Sequence, residues 1–291
     1  MTRVPGVPLS TVDLDTDRLR VVGEQLADMV YRWRQLLPAW ASAGNLKCGL
    51  GIADGNENHS PDLDSNAFEV AVAGLHIASS SNMPGFGVNV VDPLTSHLQY
   101  YRTRLETRLQ KLQGLDIFAG NRDVIPALRD FITAHLPKLG ITSSAEQTRF
   151  FFTHYDLSPR NVLVSSASGS ASASADHTKI TGIIDFEFSG FFRELDEFVN
   201  DAVANKGDWP DAFYDAYLGR LEACGLNTPR KGIKAQHWRE ATSLARLEDS
   251  IAPWWLENVP PEHRDQHKDE LRKTKEAVLE ALRLLGAGVG V

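Results

Sequence analysis

Two short acidic stretches hold the residue types of this chain that could do chemistry together. The first reads Thr153-His154-Tyr155-Asp156-Leu157-Ser158-Pro159-Arg160-Asn161-Val162-Leu163-Val164, and the second Ile180-Thr181-Gly182-Ile183-Ile184-Asp185-Phe186-Glu187-Phe188. Asp156 and Asn161 stand five apart on a loop-like segment that runs into a short apolar stretch, and Asp185 ends a second one. Carboxylate and amide oxygens are hard ligands suited to Mg²⁺. A further carboxylate beside such a metal can take the proton of an attacking hydroxyl. A base next to a metal corner is the layout of phosphoryl transfer, which depends on positioning and charge stabilisation more than on covalent chemistry by the protein.

These residues need a frame. Arg149 to His154 is aromatic-rich, and Asn161 to Val164 and Ile180 to Ile184 are short apolar runs, which predicts two or three strands flanking a catalytic-type loop. The spacer Ser165 to Ala175 (SSASGSASASA) reads as a disordered hairpin tip that separates Asn161 from Asp185 without disturbing the strands. Upstream, Leu19, Val22, Leu26, Met29, Trp33 and Leu36 recur at three and four, after cap-type residues from Asp13 to Asp17 and before Pro38. That spacing predicts a helix. Leu94 to Leu112 predicts another, and so does Val124 to Leu136, with Pro126 in its first turn and Pro137 at its end. Gly140 to Gln147 reads as a polar connector.

Between Ala41 and Pro93 the periodicity lapses. Gly49, Gly51 and Gly55 do not match the spacing of a phosphate-binding loop, and a calcium loop from Asp54 would want glycine and glutamate where His59 and Ser65 stand. Turn chemistry on a surface loop accounts for both. After Phe192 the pattern is helical: Glu194 to Ala204, Trp209 to Cys224, Lys231 to Trp255 and Pro261 to Leu285. The expected fold class is therefore α+β, mostly helical, with a small β insert.

Composition narrows the function classes. The 291 residues are 42% apolar and 23% charged, enough for a sizeable core. A formal charge of −8 gives no footprint for nucleic acid or an anionic membrane surface. Cys48 and Cys224 are the two cysteines, too few for a disulfide framework or a four-cysteine zinc site. No apolar run approaches the roughly 20 residues of a membrane span, and Met1 to Gly6 has no signal pattern, so the expected location is the cytoplasm.

His154-Tyr155-Asp156 through Asn161, followed by Ile184-Asp185-Phe186-Glu187, resembles the aminoglycoside phosphotransferase and choline kinase family, relatives of protein kinases. The catalytic loop of that family reads H-x-D-x-x-x-x-N, and its metal aspartate ends an apolar strand. The resemblance implies that Asp156 is the catalytic base and that Asn161 and Asp185 are the Mg²⁺ ligands. It implies that His154 tethers the loop and that Leu163 and Ile184 form the apolar floor beneath the adenine of ATP, while Glu187 reads first as a surface carboxylate that could also reach the metal through water. Tyr155 departs from the pattern, standing where the family usually carries a small residue.

The same resemblance makes the chain a protein-kinase-like large lobe. Arg3 to Ser10 looks like the hinge segment, residues 12–149 supply helices and a long loop, 150–192 the catalytic loop and metal strand, and 193–291 a helical subdomain. A β-rich small lobe would normally precede the hinge. It would bring the glycine-rich loop, the strand lysine and the helix glutamate that clamp the phosphates, so a truncated lobe is the expectation for the sequence as given.

The implied function is ATP- and Mg²⁺-dependent phosphoryl transfer to a hydroxyl of a small molecule. Two readings stand beside it. One is a repurposed lobe that uses Asp156 with His154 in a cyclisation, isomerisation or dehydration, and the other is a non-catalytic pseudokinase. A homodimer covering the face left by the missing small lobe is the expected partner arrangement. Asp196, Glu197 and Asp201 read first as solvated helix charges that could also favour a cationic substrate, and Trp254 and Trp255 read first as core residues that could also wall a ligand cation.

Overall fold

The computed structural model describes residues 4–37, 39–41, 43–48, 75–77, 81–83, 88–90, 94–143, 149–165, 178–203 and 207–287. The glycine-rich stretch at 49–58, residues 166–177 of the Ser/Ala-rich spacer, Pro38, Ala204 and residues 144–147 of the predicted connector lie outside them. The described chain is mostly helical with small antiparallel sheets, as an α+β protein should be.

Helix α1 (Thr16–Leu36) starts where the cap residues place it: the Asp15 carboxylate accepts from Arg18 N at 2.9 Å. Its buried stripe is Val22, Leu26 and Val30, with Gly23 and Ala27 beside them. Gly23 is needed by close approach, because a Cβ there would stand 2.5 Å from the Phe213 carbonyl oxygen. Helix α2 (His97–Gly114) follows, capped by Ser96. The expected helix over 124–136 is α3 (Ile125–Asp130), with Pro126 in its first turn, continued by a π-turn at Phe131–His135 and closed by a 3₁₀ turn at Leu136–Lys138 that contains Pro137. The connector opens with one short helical turn, α4 (Gly140–Ser143).

The stretch from 41 to 93 is not wholly irregular. It holds β2 (Gly44–Cys48), β3 (Leu75–Ile77), β4 (Ser81–Met83) and β5 (Val88–Val90), the last three below the length at which alternation can be read from sequence. Together with β6 (Phe151–Thr153) and β9 (Gly190–Phe192), two of them form a sheet of order β3-β2-β9-β6. The three-stranded sheet that matters for the site runs β1-β7-β8, from β1 (Val7–Pro8), β7 (Val162–Val164) and β8 (Ile180–Ile183). Its hairpin pairs Val162 with Ile183 and Leu163 with Gly182, and Pro8 lies opposite Leu163.

Downstream come α5 (Asp196–Val203), α6 (Asp211–Ala223), α7 (Ala235–Ile251), the short α8 (Trp254–Glu257) and α9 (Lys268–Leu284). Two apolar cores result. One joins α1 and α6 to Leu157, Val162 and Val164. The other joins α2, α7 and α9 to Phe150, Phe152, Phe191 and Phe192. The segment 153–162 leaves β6 in the second core and enters β7 in the first, so the predicted catalytic loop is anchored at both ends. Trp254 and Trp255 are not core residues: they are 66% and 44% exposed, and the Trp255 indole donates to Glu270. Among the described residues no helix is long and apolar enough to cross a membrane.

Candidate active site

The loop 153–162 is shaped by backbone before side chains. Asn161 N donates to Ser158 O at 2.9 Å, which closes a 3₁₀ turn at Pro159–Asn161 and brings residue 161 back toward residue 156. The Asn161 amide Nδ2 then donates to the Asp156 carbonyl at 2.7 Å and to its Oδ2 at 3.2 Å. Ile184 N donates to the Asn161 carbonyl at 3.0 Å, continuing the β7–β8 register one step past Val162 and Ile183. Asp185 is the next residue. One buried asparagine thus bonds to Asp156 through its side chain and to the residue before Asp185 through its carbonyl.

Asp185 has φ 66° and ψ 54°, and Tyr155 has φ 71°. These are the described non-glycine residues in the left-handed region, which costs an L-residue about 1–2 kcal/mol. Such strain persists only where surroundings over-determine it, and it collects at functional sites. At position 155 those surroundings are visible. The Tyr155 hydroxyl accepts from Arg104 at 2.7 Å, its carbonyl accepts from Asn200 Nδ2 at 2.5 Å, and its ring lies 4.9 Å from that of Phe192. The left-handed backbone at this position favours glycine, and Tyr155 is held there from three sides.

Asp156 is half-buried, its side chain 16% exposed, and the Arg160 guanidinium nitrogen Nη2 donates to both its oxygens at 2.6 and 2.9 Å. Oδ2 meets both Arg160 and Asn161. Oδ1 meets Arg160 alone, so it is the oxygen at which a hydroxyl could share or replace a donor. Asp185 is exposed. The set of Asp156, Asn161 and Asp185 offers carboxylate and amide oxygens at the mouth of a hairpin, a donor chemistry that fits a hard divalent cation.

His154 is fully buried, and Nε2 donates to the Ile184 carbonyl at 3.0 Å. A carbonyl only accepts, so Nε2 carries the ring proton. Burial lowers the imidazole pKa, holding His154 neutral, and its ring lies 4.7 Å from Phe186. It ties the loop to the strand that delivers Asp185. Leu163 is buried between β1 and Gly182, Ile184 is half-buried, and strand alternation puts the two on one face. Phe186, which packs edge-on to Trp33, is 42% exposed.

Sequence reasoning placed Asp196 and Glu197 in solvent, and the structure corrects it. Both are buried, Glu197 with only 3% of its surface exposed. Burial pushes the Glu197 carboxyl up to about 7, against the opposing pull of the Arg34 guanidinium and the His154 backbone N–H. Neither carboxylate oxygen reaches hydrogen-bond geometry. Glu197 stands beneath the loop that carries Asp156. Its signal in the sequence was its setting, an acid inside the apolar run Leu195, Phe198 and Val199. The side chains of Glu187 and Asp201 lie outside the described residues.

A family model described as "Phosphotransferase enzyme family" (APH) matches residues 1–231 of the chain. No curated protein and no solved structure matches it.

Proposed function

Because the chain belongs to the phosphotransferase enzyme family, we propose that it transfers the terminal phosphoryl group of ATP to a hydroxyl of a small molecule, with Mg²⁺ as cofactor, from a protein-kinase-like large lobe. The observation that carries this reading is the junction at Asn161, whose side chain holds Asp156 while its carbonyl holds the residue before Asp185.

Asn161 and Asp185 would hold the metal, and Leu163 and Ile184 supply an apolar face for the adenine. When bound, Mg·ATP supplies a phosphoryl group whose charge is neutralised for attack. The chain's own residues do the rest. Asp156 accepts the proton of the acceptor hydroxyl at a carboxylate oxygen, Oδ1 being the one bonded to Arg160 alone. Asn161 and Arg160 fix the direction of that carboxylate, so little reorientation is needed on reaction. Neutral His154 keeps the loop and the Asp185 strand in register.

The test is thermal unfolding with and without Mg·ATP, in the native protein and in Asp185→Asn and Asp156→Asn. A Mg²⁺-dependent rise in the midpoint that disappears in Asp185→Asn and survives in Asp156→Asn is expected. No response to Mg·ATP in the native protein would sink the reading. Nucleotide-independent turnover that still required Asp156 would point to a repurposed site instead.

A further inference from the structure

Helix α7 has two working faces. Ala241, Ala245 and Glu248 share a pocket with residues of α2 and α5, where Glu248 pairs with Arg104 at 2.7 Å. Arg239, Ser243 and Arg246, spaced by four and three, stand on the opposite side of the helix. With Leu139 ahead of α4 and Leu284 to Gly286 at the end of α9, they line a groove on the surface.

The three polar groups of that stripe are all uncommitted. Arg239 and Arg246 are exposed, and neither guanidinium has a partner among the described residues. Ser243 between them is only 8% exposed, and its hydroxyl has no partner among them either. A serine inside a helix ordinarily donates to the carbonyl one turn back. Here that carbonyl, of Arg239, accepts from Thr242 Oγ1 at 3.1 Å. A hydroxyl at that depth left without a bond is costly, and because it lines the groove a ligand there can supply the acceptor. The acids nearby are engaged elsewhere. Glu240, the carboxylate of the lining, accepts from Gly140 N at 3.2 Å, Ile141 N at 3.0 Å and Gln236 Nε2 at 2.8 Å. Asp249, one turn beyond Arg246, lines the pocket on the other face, where Arg108 and Arg104 are the cations acting on it.

We propose that this groove binds a phosphate group, free or as a phosphomonoester, held by Arg239 and Arg246 over the Ser243 hydroxyl. Two guanidinium forks and one hydroxyl donor match the three terminal oxygens and the double charge of a phosphomonoester. A planar carboxylate has two oxygens and one charge, and would leave one of the three groups without a partner. The two arginines are about 10 Å apart along the helix axis with Ser243 between them, so long side chains from both reach one ligand placed over the serine. Leu139 and Leu284, the latter 51% exposed, offer apolar contact to the organic part of an ester. The assignment uses no residue of the loop 153–162 and is independent of the phosphotransfer reading.

The experiment is thermal unfolding of the full chain titrated with inorganic phosphate, phenyl phosphate or acetate at equal ionic strength, with EDTA and no nucleotide. A midpoint rise that saturates with both phosphates is expected. Arg239→Gln and Arg246→Gln, both at exposed positions, should each raise the half-saturating concentration about tenfold or more. Ser243→Ala should weaken binding in the same direction, and Arg160→Gln should leave it unchanged. Tighter binding of phenyl phosphate than of inorganic phosphate assigns an ester whose organic part lies on Leu139 and Leu284, and equal binding assigns the free ion. No saturable rise in the native protein would overturn the proposal, as would a rise undiminished in Arg239→Gln and Arg246→Gln. A rise lost in Arg160→Gln alone would place the phosphate at the loop 153–162 instead, and acetate binding as tightly as phosphate would refute the match to three oxygens.

Discussion

Tyr155 shows how one residue can violate a local preference and still be the right residue. Its φ of 71° favours glycine, yet its hydroxyl, carbonyl and ring are each engaged by a different element. Tyr155→Ala and Tyr155→Gly lose the same side-chain contacts, but glycine recovers the left-handed penalty of about 1–2 kcal/mol. Tyr155→Gly should therefore be the more stable of the two by roughly 1 kcal/mol in urea unfolding, after its greater unfolded-state entropy is allowed for. Equal stabilities would show that backbone conformation is not what restricts the position. Glu197 makes a pH prediction. Its carboxyl sits at about 7 in the fold against an ordinary 4.5, so across that window the folded state keeps a proton that the unfolded chain has released. Stability contributed by this group falls as pH rises from 4.5 to about 7 and is level beyond. Glu197→Gln removes that slope. Its stability relative to the native protein should rise between pH 5 and pH 8, on the order of 3 kcal/mol at the upper limit. A difference that does not change with pH would contradict the buried, raised carboxyl.

At the scale of elements, helix α1 is set by the sequence and its position by contact with α6. The stripe of Val22, Leu26 and Val30 requires a partner face, and Gly23 lets the backbone of α6 come within contact of α1 at Phe213. Alanine is the better helix former by about 1 kcal/mol, which would favour Gly23→Ala in isolation. In the fold its Cβ would meet a carbonyl oxygen at 2.5 Å, and the obstacle is backbone, not the end of a flexible side chain. Overpacking of this kind costs roughly 1–3 kcal/mol. Gly23→Ala should thus lower the thermal midpoint, and a raised midpoint would mean that the two helices part without cost. The β7–β8 hairpin is positioned differently, by edges. Gln25 of α1 accepts from Ile180 N and donates to the Thr178 carbonyl, so the first helix caps the strand that ends near Asp185.

Over the whole molecule, the loop 153–162 occupies the seam between two cores. Leu157 and Val162 belong to the core of α1 and α6, while Phe152 and the Tyr155 ring pack on the core of α2, α7 and α9. Arg104 spans the seam from α2, reaching Tyr155 on the loop and Glu248 on α7. Buried charge of this sort contributes little net stability, since desolvation offsets the attraction. What it specifies is the relative placement of three elements around Asp156.

The sequence by itself determined the family and most of the helices. The candidate set of Asp156, Asn161 and Asp185 could be named because types and order are read without knowing the fold, and α1 was legible because apolar residues at three and four leave a local record. The hairpin was legible for the same reason, as two apolar runs around a polar spacer. Strands β2, β3 and β9 were not, since they pair with segments far away in sequence. Burial of Asp196 and Glu197, exposure of Trp254 and Trp255, and the conformation of Tyr155 were decided only by tertiary structure. An acid in solvent and an acid under the loop 153–162 have the same letter. What separates them is which face of α5 meets the loop, and that is set by the packing of the two cores.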